Sequence, residues 1–497
     1  MKKMAYITPL LLCWMVVQSA WAADRLPDLT VRDVGHYGIC PWGSPGDPIK
    51  PGSASDRMRG LDFTIRNIFV RDEDGIKAMP EVARRTIKEI NDGLAFNPPK
   101  TMIIRVDFWN GEDRHKGELQ PFEVYQHRME VALKNLEPIL DKIHGLSISE
   151  ENVPRGGRTA VLEKMYRFVK SKYPNLRCYQ WWTPNTAVPA AYEGIYLPAD
   201  GWIVDPYSLG PDLYPNGPTS RRFVQKYLVT GKPLVFVAPG WNFDRFFSPG
   251  KPNESFKNGF DGWKNIDDQL QVCLDYNVPV AWYWFYVEDD DYVSPGKKTW
   301  ATFPMEYETE LGNQMTRRIL AWIEQAHALP KDYDGTEAAE RWENAPLAIT
   351  VKDGREMVAQ DFSSSSFLDQ TTGTGFRDLV WNGQDLRVRG YRGRQARVRM
   401  DYQLSVKEPM QLREVTLDTA VDPKADGKVV VLLSADGGKN WFARSQTRNN
   451  VGEQKLRVDA KTMKQSAQLV VRIEMSGRGG SEEQPVVKID NLRIVGR

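Results

Sequence analysis

Two adjacent glutamates, Glu150 and Glu151, close an alternating apolar run in IHGLSISEENVP (143–154). A carboxylate delivered by the end of a buried strand can pass a proton to a bound substrate or attack it, provided a second carboxylate stands nearby. Asp205 in GWIVDPY (201–207) and Asp107 in TMIIRVDFW (101–109) are the candidates for that second group. A plain reading competes with this one, because paired acids also open helices, where the dipole favours them. Strand alternation separates the two glutamates. With Leu146 and Ile148 toward one side, Gly145, Ser147 and Ser149 face the other and Glu151 shares their parity. Glu150 points away, and a slip of one residue would exchange the two.

The same alternation sets Ile104, Val106 and Phe108 on the apolar side and turns Arg105 and Asp107 inward. A charge so placed needs partners or a ligand. Other strand-like runs end in matching chemistry: His36 and Trp42; Trp109; Gln180 and Trp182; Tyr207; Trp241 and Asn242; Trp284 and Glu288. Aromatic faces pack on the C–H side of sugar rings, while carboxylates, amides and guanidinium groups bond hydroxyls, so this mixture suits a carbohydrate. The expected roles are Glu151 as acid and Asp205 as nucleophile or base, or the reverse, with Glu150 as the alternative on strand four and the others as substrate contacts. Each has a plainer use. Asp205 can serve the turn before Pro206, Asp107 can pair with Arg105, Glu288 borders a solvated acidic loop, and a tryptophan is more often core than subsite.

Eight β-type runs are needed to hold these groups: 34–40, 62–70, 101–109, 143–149, 176–182, 201–207, 233–239 and 278–287. Amphipathic helical runs lie between most of them. PEVARRTIKEINDGL carries Pro80 at a first-turn position, and Met129, Leu133, Leu136 and Leu140 form a stripe in the next. The first crossover, SASDRMRG, is short, and the helix near AVPAAYEGIY is weak. Alternating strand and helix predict an α/β fold, a parallel (β/α)₈ TIM barrel with its active face at the strand C-termini. An open doubly wound sheet is the runner-up and lacks its Gly-rich phosphate loop.

Past Pro330 the period changes to two. Runs such as ARVRMDYQL, LREVTLDTA, KVVVLLS and AQLVVRIEM, separated by turns such as ADGGKN, predict an all-β antiparallel sandwich of jelly-roll type. The expected organisation is a signal peptide at 1–22, a catalytic barrel at 23–329, a linker at 330–346 and a carbohydrate-binding-like sandwich at 347–497. Lys2 and Lys3, an apolar stretch and Ala20-Trp21-Ala22 carry the signal reading and a secreted or periplasmic location. The charge balance of 66 basic against 65 acidic residues gives +1 and no basic block, so neither nucleic acid nor an anionic membrane is an expected partner. No later run is long enough to span a bilayer. Cys40, Cys178 and Cys273 lack metal spacing and read as buried thiols. No metal or other cofactor is expected for catalysis, since no HExxH or CxxC occurs.

With these residues in view, the chain resembles a secreted (β/α)₈-barrel glycoside hydrolase with an appended β-sandwich, over nearly all of its mature length. The strand-four ending SEEN is similar to the acid/base ending NE of the clan that holds cellulases and β-galactosidases. Here Asn152 follows the glutamates, and FVAPGWN lacks the glutamate that clan places on strand seven. Carboxylates on strands four and six resemble the α-galactosidase and α-glucosidase type of barrel, with glutamate in place of its aspartate nucleophile. The resemblance implies cleavage of an extracellular poly- or oligosaccharide by two carboxylates. Asp361 and Asp490 resemble the calcium-holding aspartates of carbohydrate-binding jelly rolls, which implies a structural calcium. A non-catalytic glycan-binding protein on the same folds is the alternative, and a deacetylase is a third reading without its metal set.

Overall fold

The computed structural model describes residues 26–38, 60–109, 119–152, 158–182, 198–206, 220–239, 262–283, 310–336, 341–342, 356–390, 394–447, 452–460, 463–480 and 484–496. The expected signal peptide, the crossover SASDRMRG up to Arg59, the weak helix near AVPAAYEGIY and Cys40 lie outside them.

Eight parallel strands close a barrel in chain order: β1 (Val34–Gly38), β2 (Phe63–Phe69), β3 (Thr101–Asp107), β4 (Gly145–Asn152), β5 (Cys178–Trp182), β6 (Gly201–Val204), β7 (Leu234–Pro239) and β8 (Val280–Tyr283). β8 pairs β1 to complete the ring. Each strand falls within one of the runs read from the sequence or overlaps it.

Around the barrel lie α1 (Glu73–Leu94), α2 (Phe122–Leu136), α3 (Arg158–Lys172), α4 (Ser220–Leu228), α5 (Gly262–Tyr276) and α6 (Glu310–Ala328). α1 begins seven residues before Pro80, which corrects the expected start. The Asp72 side chain caps it by accepting from the Gly75 N–H. Pro80 sits inside the helix on its exposed side, where water can serve the carbonyl that the missing N–H leaves free. The α2 stripe is buried as expected through Met129, Leu133 and Leu136.

The strands divide their side chains between two apolar layers. Ile104, Val106, Phe108, Leu146, Ile148, Trp202 and Phe236 pack into the layer beneath the helices. Tyr37, Phe63, Ile65, Ile103, Tyr179, Trp181, Ile203, Val235, Val237 and Ala281 fill the barrel interior. Three glycines make the floor possible. A Cβ on Gly35 would stand 2.4 Å from the Phe63 ring, and one on Gly145 or Gly201 would stand 2.8 or 2.5 Å from the Tyr179 ring. Below the floor, the Tyr179 hydroxyl meets His144 Nδ1 at 3.0 Å and His144 Nε2 meets the Pro27 carbonyl at 3.1 Å. Arg177 pairs with Asp28 at 2.7 Å, and Leu29 packs against the interior layer. The N-terminal end of the lumen is therefore stoppered.

The remaining strands form two antiparallel sheets of six. One has the order β12 (Leu379–Trp381), β13 (Leu386–Val388), β20 (Val487–Gly496), β15 (Leu412–Val421), β18 (Glu453–Asp459), with β10 (Glu356–Gln360) also on β20. The other runs β17 (Ala443–Gln446), β16 (Lys428–Ser434), β19 (Ser466–Arg478), β14 (Gln395–Met410), β11 (Thr372–Thr374), β9 (Arg341–Trp342). β9 lies within the expected linker and instead takes an edge of this sheet. Sandwich and barrel share one apolar cluster. Tyr276 of α5 meets Phe376 edge-on at 5.7 Å, and the Trp381 N–H donates to the Val229 carbonyl at 2.5 Å. A short helix, α7 (Phe367–Gln370), places Asp369 beside Arg222 and Lys226 of α4.

Candidate functional site

Inward parity on β3 brings Arg105 and Asp107 into the lumen toward its C-terminal mouth, each only 1 % exposed. Arg105 Nη1 donates to the Tyr37 hydroxyl at 2.5 Å, and Arg105 Nη2 lies 3.8 Å from Asp107 Oδ2. Arg71, just past β2, also donates to Asp107, through Nε at 3.1 Å and through Nη2. The other carboxylate oxygen accepts the Trp109 N–H at 3.2 Å. A carboxylate engaged on both oxygens is suited to orienting neighbours and a ligand, more than to trading protons.

Aromatic rings complete this end. Tyr37 meets Trp181 edge-on at 4.7 Å and Tyr283 at 4.5 Å. Phe69, the last residue of β2, is 48 % exposed. Its ring lies under two guanidinium groups, Arg71 at 4.5 Å and Arg105 at 5.2 Å. The two cation–π contacts hold this ring in place while nearly half of it stays open to solvent.

Asp205 follows β6 and is 1 % exposed. Its N–H donates to the Trp182 carbonyl at 3.3 Å, and Gln269 of α5 anchors the next residue by donating to the Pro206 carbonyl at 2.8 Å. Burial and, second, the nearby Asp205 carboxylate push the Tyr227 phenol of α4 well above its usual range. Asp205 thus stands at the rim between β6 and α4.

On β4 the backbone runs as strand through both glutamates, whose side chains lie outside what the structure describes. The ladder to β5 is irregular there. Ile148 faces Gln180 and Asn152 faces Trp182, so four residues of β4 span two of β5. Parity cannot be carried from Ser147 to Glu151 across such a bulge, which removes the basis for ranking Glu151 over Glu150. Bulges re-aim side chains and concentrate near functional sites.

Four expected contacts are corrected by where their side chains lie. Trp182 belongs to the helix-side layer, while its neighbour Trp181 faces the lumen. Gln180 shares the Trp182 side and is fully buried, its amide atoms without hydrogen-bond partners among the described residues. His36 lies opposite Gly35 and Tyr37, both of which face the lumen. Trp109 is also on the helix side, packed on Phe108 at 4.8 Å, on Tyr125 at 4.9 Å and under Arg158 at 5.7 Å. Trp42, Tyr207, Trp241, Asn242, Trp284 and Glu288 lie outside the described residues. Tyr37, Trp181, Tyr283, Phe69 and Arg71 were not among the expected contacts. Inward parity marks the first four, whereas Arg71 sits in a turn where parity gives no signal.

Among the described residues, no group of three or more His, Cys, Asp or Glu is placed to hold a metal. Asp361, read as a calcium ligand, accepts from the Ser363 N–H at 2.9 Å and hydroxyl at 2.7 Å. Asp490 stands opposite Asp418 on the neighbouring strand, with Lys488 close to it. Cys178 and Cys273 are buried free thiols, both pushed up by burial. No helix among the described residues is long and apolar enough to cross a membrane.

No family profile matches the chain, and no curated protein resembles it in sequence. Solved structures share limited likeness. One is TmCBM61 in complex with β-1,4-galactotriose, at 11 % identity and TM-score 0.18, over 25 % of this chain and 81 % of that one. Another is TmCBM27, a carbohydrate-binding module studied for mannan recognition, at 14 % identity and TM-score 0.20, over 29 % of this chain and 97 % of that one. The cleaved adhesin domain K3 of the Lys-gingipain of Porphyromonas gingivalis matches at 10 % identity and TM-score 0.15, over 22 % of this chain and 73 % of that one.

Proposed function

We propose that the barrel is a glycoside hydrolase that receives a poly- or oligosaccharide at its C-terminal mouth and cleaves it with two carboxylates. One observation carries the reading: Arg105 and Asp107, both buried, share the mouth with Tyr37, Trp181, Tyr283 and the exposed ring of Phe69. Ionised groups buried in a barrel core cost several kcal/mol each before pairing, on the order of 5 or more, and a ligand that uses them offsets that cost. Asp107, held by Arg71 and Arg105, positions hydroxyls. A glutamate of β4 protonates the leaving oxygen, and Asp205 attacks the anomeric carbon or activates water, or the two exchange roles. Secretion and action on extracellular glycan belong to the same proposal.

The alternative is a glycan-binding protein without turnover, which the engagement of both Asp107 oxygens favours. Digestion of a glycan library by the full chain, read by product mass, separates the two. New product masses that vanish in Asp205→Asn or Glu151→Gln support cleavage. Binding without products across the library leaves the alternative.

A further inference from the structure

The outer face of the β17-β16-β19-β14-β11-β9 sheet carries a cross-strand row of charged side chains with one leucine among them. Arg444 stands opposite Leu432, Leu432 opposite Arg472, and Arg472 opposite Asp401. The alternate residues Val431, Leu433, Val471 and Ile473 are buried in the core between the sheets. Arg472 is fixed by a two-pronged pair to Asp401, Nε to Oδ1 at 2.7 Å and Nη2 to Oδ2 at 2.9 Å. Its guanidinium lies over the Trp441 ring at 4.1 Å. One face of that indole is therefore backed and held.

Trp441 comes from the turn between β16 and β17, which its own side chains make rigid. Asp436 accepts from the Ser434 hydroxyl at 2.7 Å and from Asn440 N and Nδ2 at 2.8 and 2.7 Å. The Ser434 Oγ accepts in turn from the Gly438 N–H at 2.9 Å. Gly437 and Gly438 take φ of 70° and 87°, which favours glycine there. The turn presents Phe442, 61 % exposed, in the same parity as Arg444. Large hydrophobic side chains that exposed are otherwise absent among the described residues. An exposed ring on a mobile loop would mean little. On a turn fixed at this many points it is a preorganised surface, whose ordering cost is met before a ligand arrives.

We infer that Trp441, Phe442, Arg444 and Arg472 form a glycan-binding platform on the sandwich, separate from the barrel mouth. The ligand is a run of sugar rings, stacked on Phe442 and the open part of Trp441, with hydroxyls bonded by Arg444 and Arg472. Flat rings beside guanidinium donors suit a neutral or acidic polysaccharide, whose C–H faces and hydroxyls alternate. A protein contact would want a wider apolar patch around Phe442 than this charged row gives. The binding needs no turnover in the barrel, so its failure and that of the hydrolase reading are distinguishable.

The test is affinity electrophoresis of the full chain through gels holding soluble galactan, glucomannan, xylan or hydroxyethylcellulose. The wild type should be slowed in at least one gel. Phe442→Ala and Trp441→Ala should each weaken that retention by about 10-fold or more in dissociation constant. Phe442→Ala should keep the wild-type melting temperature, since its ring is exposed, and Glu151→Gln should keep full retention. Unchanged retention in the Trp441 and Phe442 variants, or no retention of the wild type in any gel, overturns the platform. So does loss of a dimer in Phe442→Ala by light scattering, which would make the patch a contact between copies.

Discussion

The Arg105 guanidinium bonds the Tyr37 hydroxyl across the barrel lumen at 2.5 Å, joining two strands that are not neighbours in the sheet. Removing the acceptor while keeping the ring tests what this bond contributes. Tyr37→Phe leaves a buried donor short of one partner and should lower stability by about 1–3 kcal/mol. Urea unfolding of the variant measures it. An unchanged midpoint would show that Arg105 finds an equivalent acceptor.

The bulge in β4 makes the two glutamates a matched pair for comparison. If one is the acid or base, its Gln variant should lose turnover by at least about 10²-fold with little change in melting. The other should stay near wild type. Glu151→Gln and Glu150→Gln are measured together on the glycan that the library digest identifies. Two fully active variants would remove β4 from the chemistry.

Acid should loosen the stopper beneath the lumen. His144 is lowered to about 4, first by burial and then by the adjacent Arg177, against the pull of the Pro27 carbonyl. An unfolded histidine takes its proton near pH 6.5, so the unfolded state binds more protons between there and about 4. The neutral form stabilises the fold above that window, and the benefit is lost as pH falls through it, by about 3 kcal/mol. Urea midpoints of the wild type and His144→Gln, taken from pH 7.5 to 4, should converge as pH drops. A constant gap would show that His144 does not titrate differently on unfolding. His327, raised by its bond to Asp62, works with the opposite sign and is common to both proteins.

Ending the chain near Leu329 should damage the barrel without touching the proposed site. The cut uncovers the Tyr276 side of α5 and removes the partner of the Val229 carbonyl. It also strips Asp369 from Arg222 and Lys226. A melting temperature lower by several degrees, or aggregation on purification, is the expected result. A shortened chain as stable as the full one would show that the two domains merely touch.

The barrel was legible because eight β-type runs recur along the chain and most of them are followed by an amphipathic helical stripe. The site was legible where alternation separates unlike residues, as with Arg105 and Asp107 between Ile104, Val106 and Phe108. It failed where neighbours are alike. In QWW and GHY either of two adjacent residues suits a sugar, and the weight fell on Trp182 and His36 where Trp181 and Tyr37 face the lumen. A bulge leaves no mark in composition, so the shift between Ile148 and Asn152 could not be read from SEEN. Arg71 joins Asp107 from 36 positions away, a closeness that only the strand pairing creates. The capping signal of Asp72 was present in DEDG but was outweighed by the usual preference of proline for a first turn.

The glycines under Phe63 and Tyr179, with the His144 stopper below them, make the lumen a cul-de-sac. Whatever binds at the level of Tyr37 and Trp181 arrives and departs through one doorway. For a barrel that cleaves its ligand, a fragment left at that depth stands in the path of the next molecule. Its rate should then be governed by clearance as much as by bond breaking, with accumulated product acting as a competitor at the doorway.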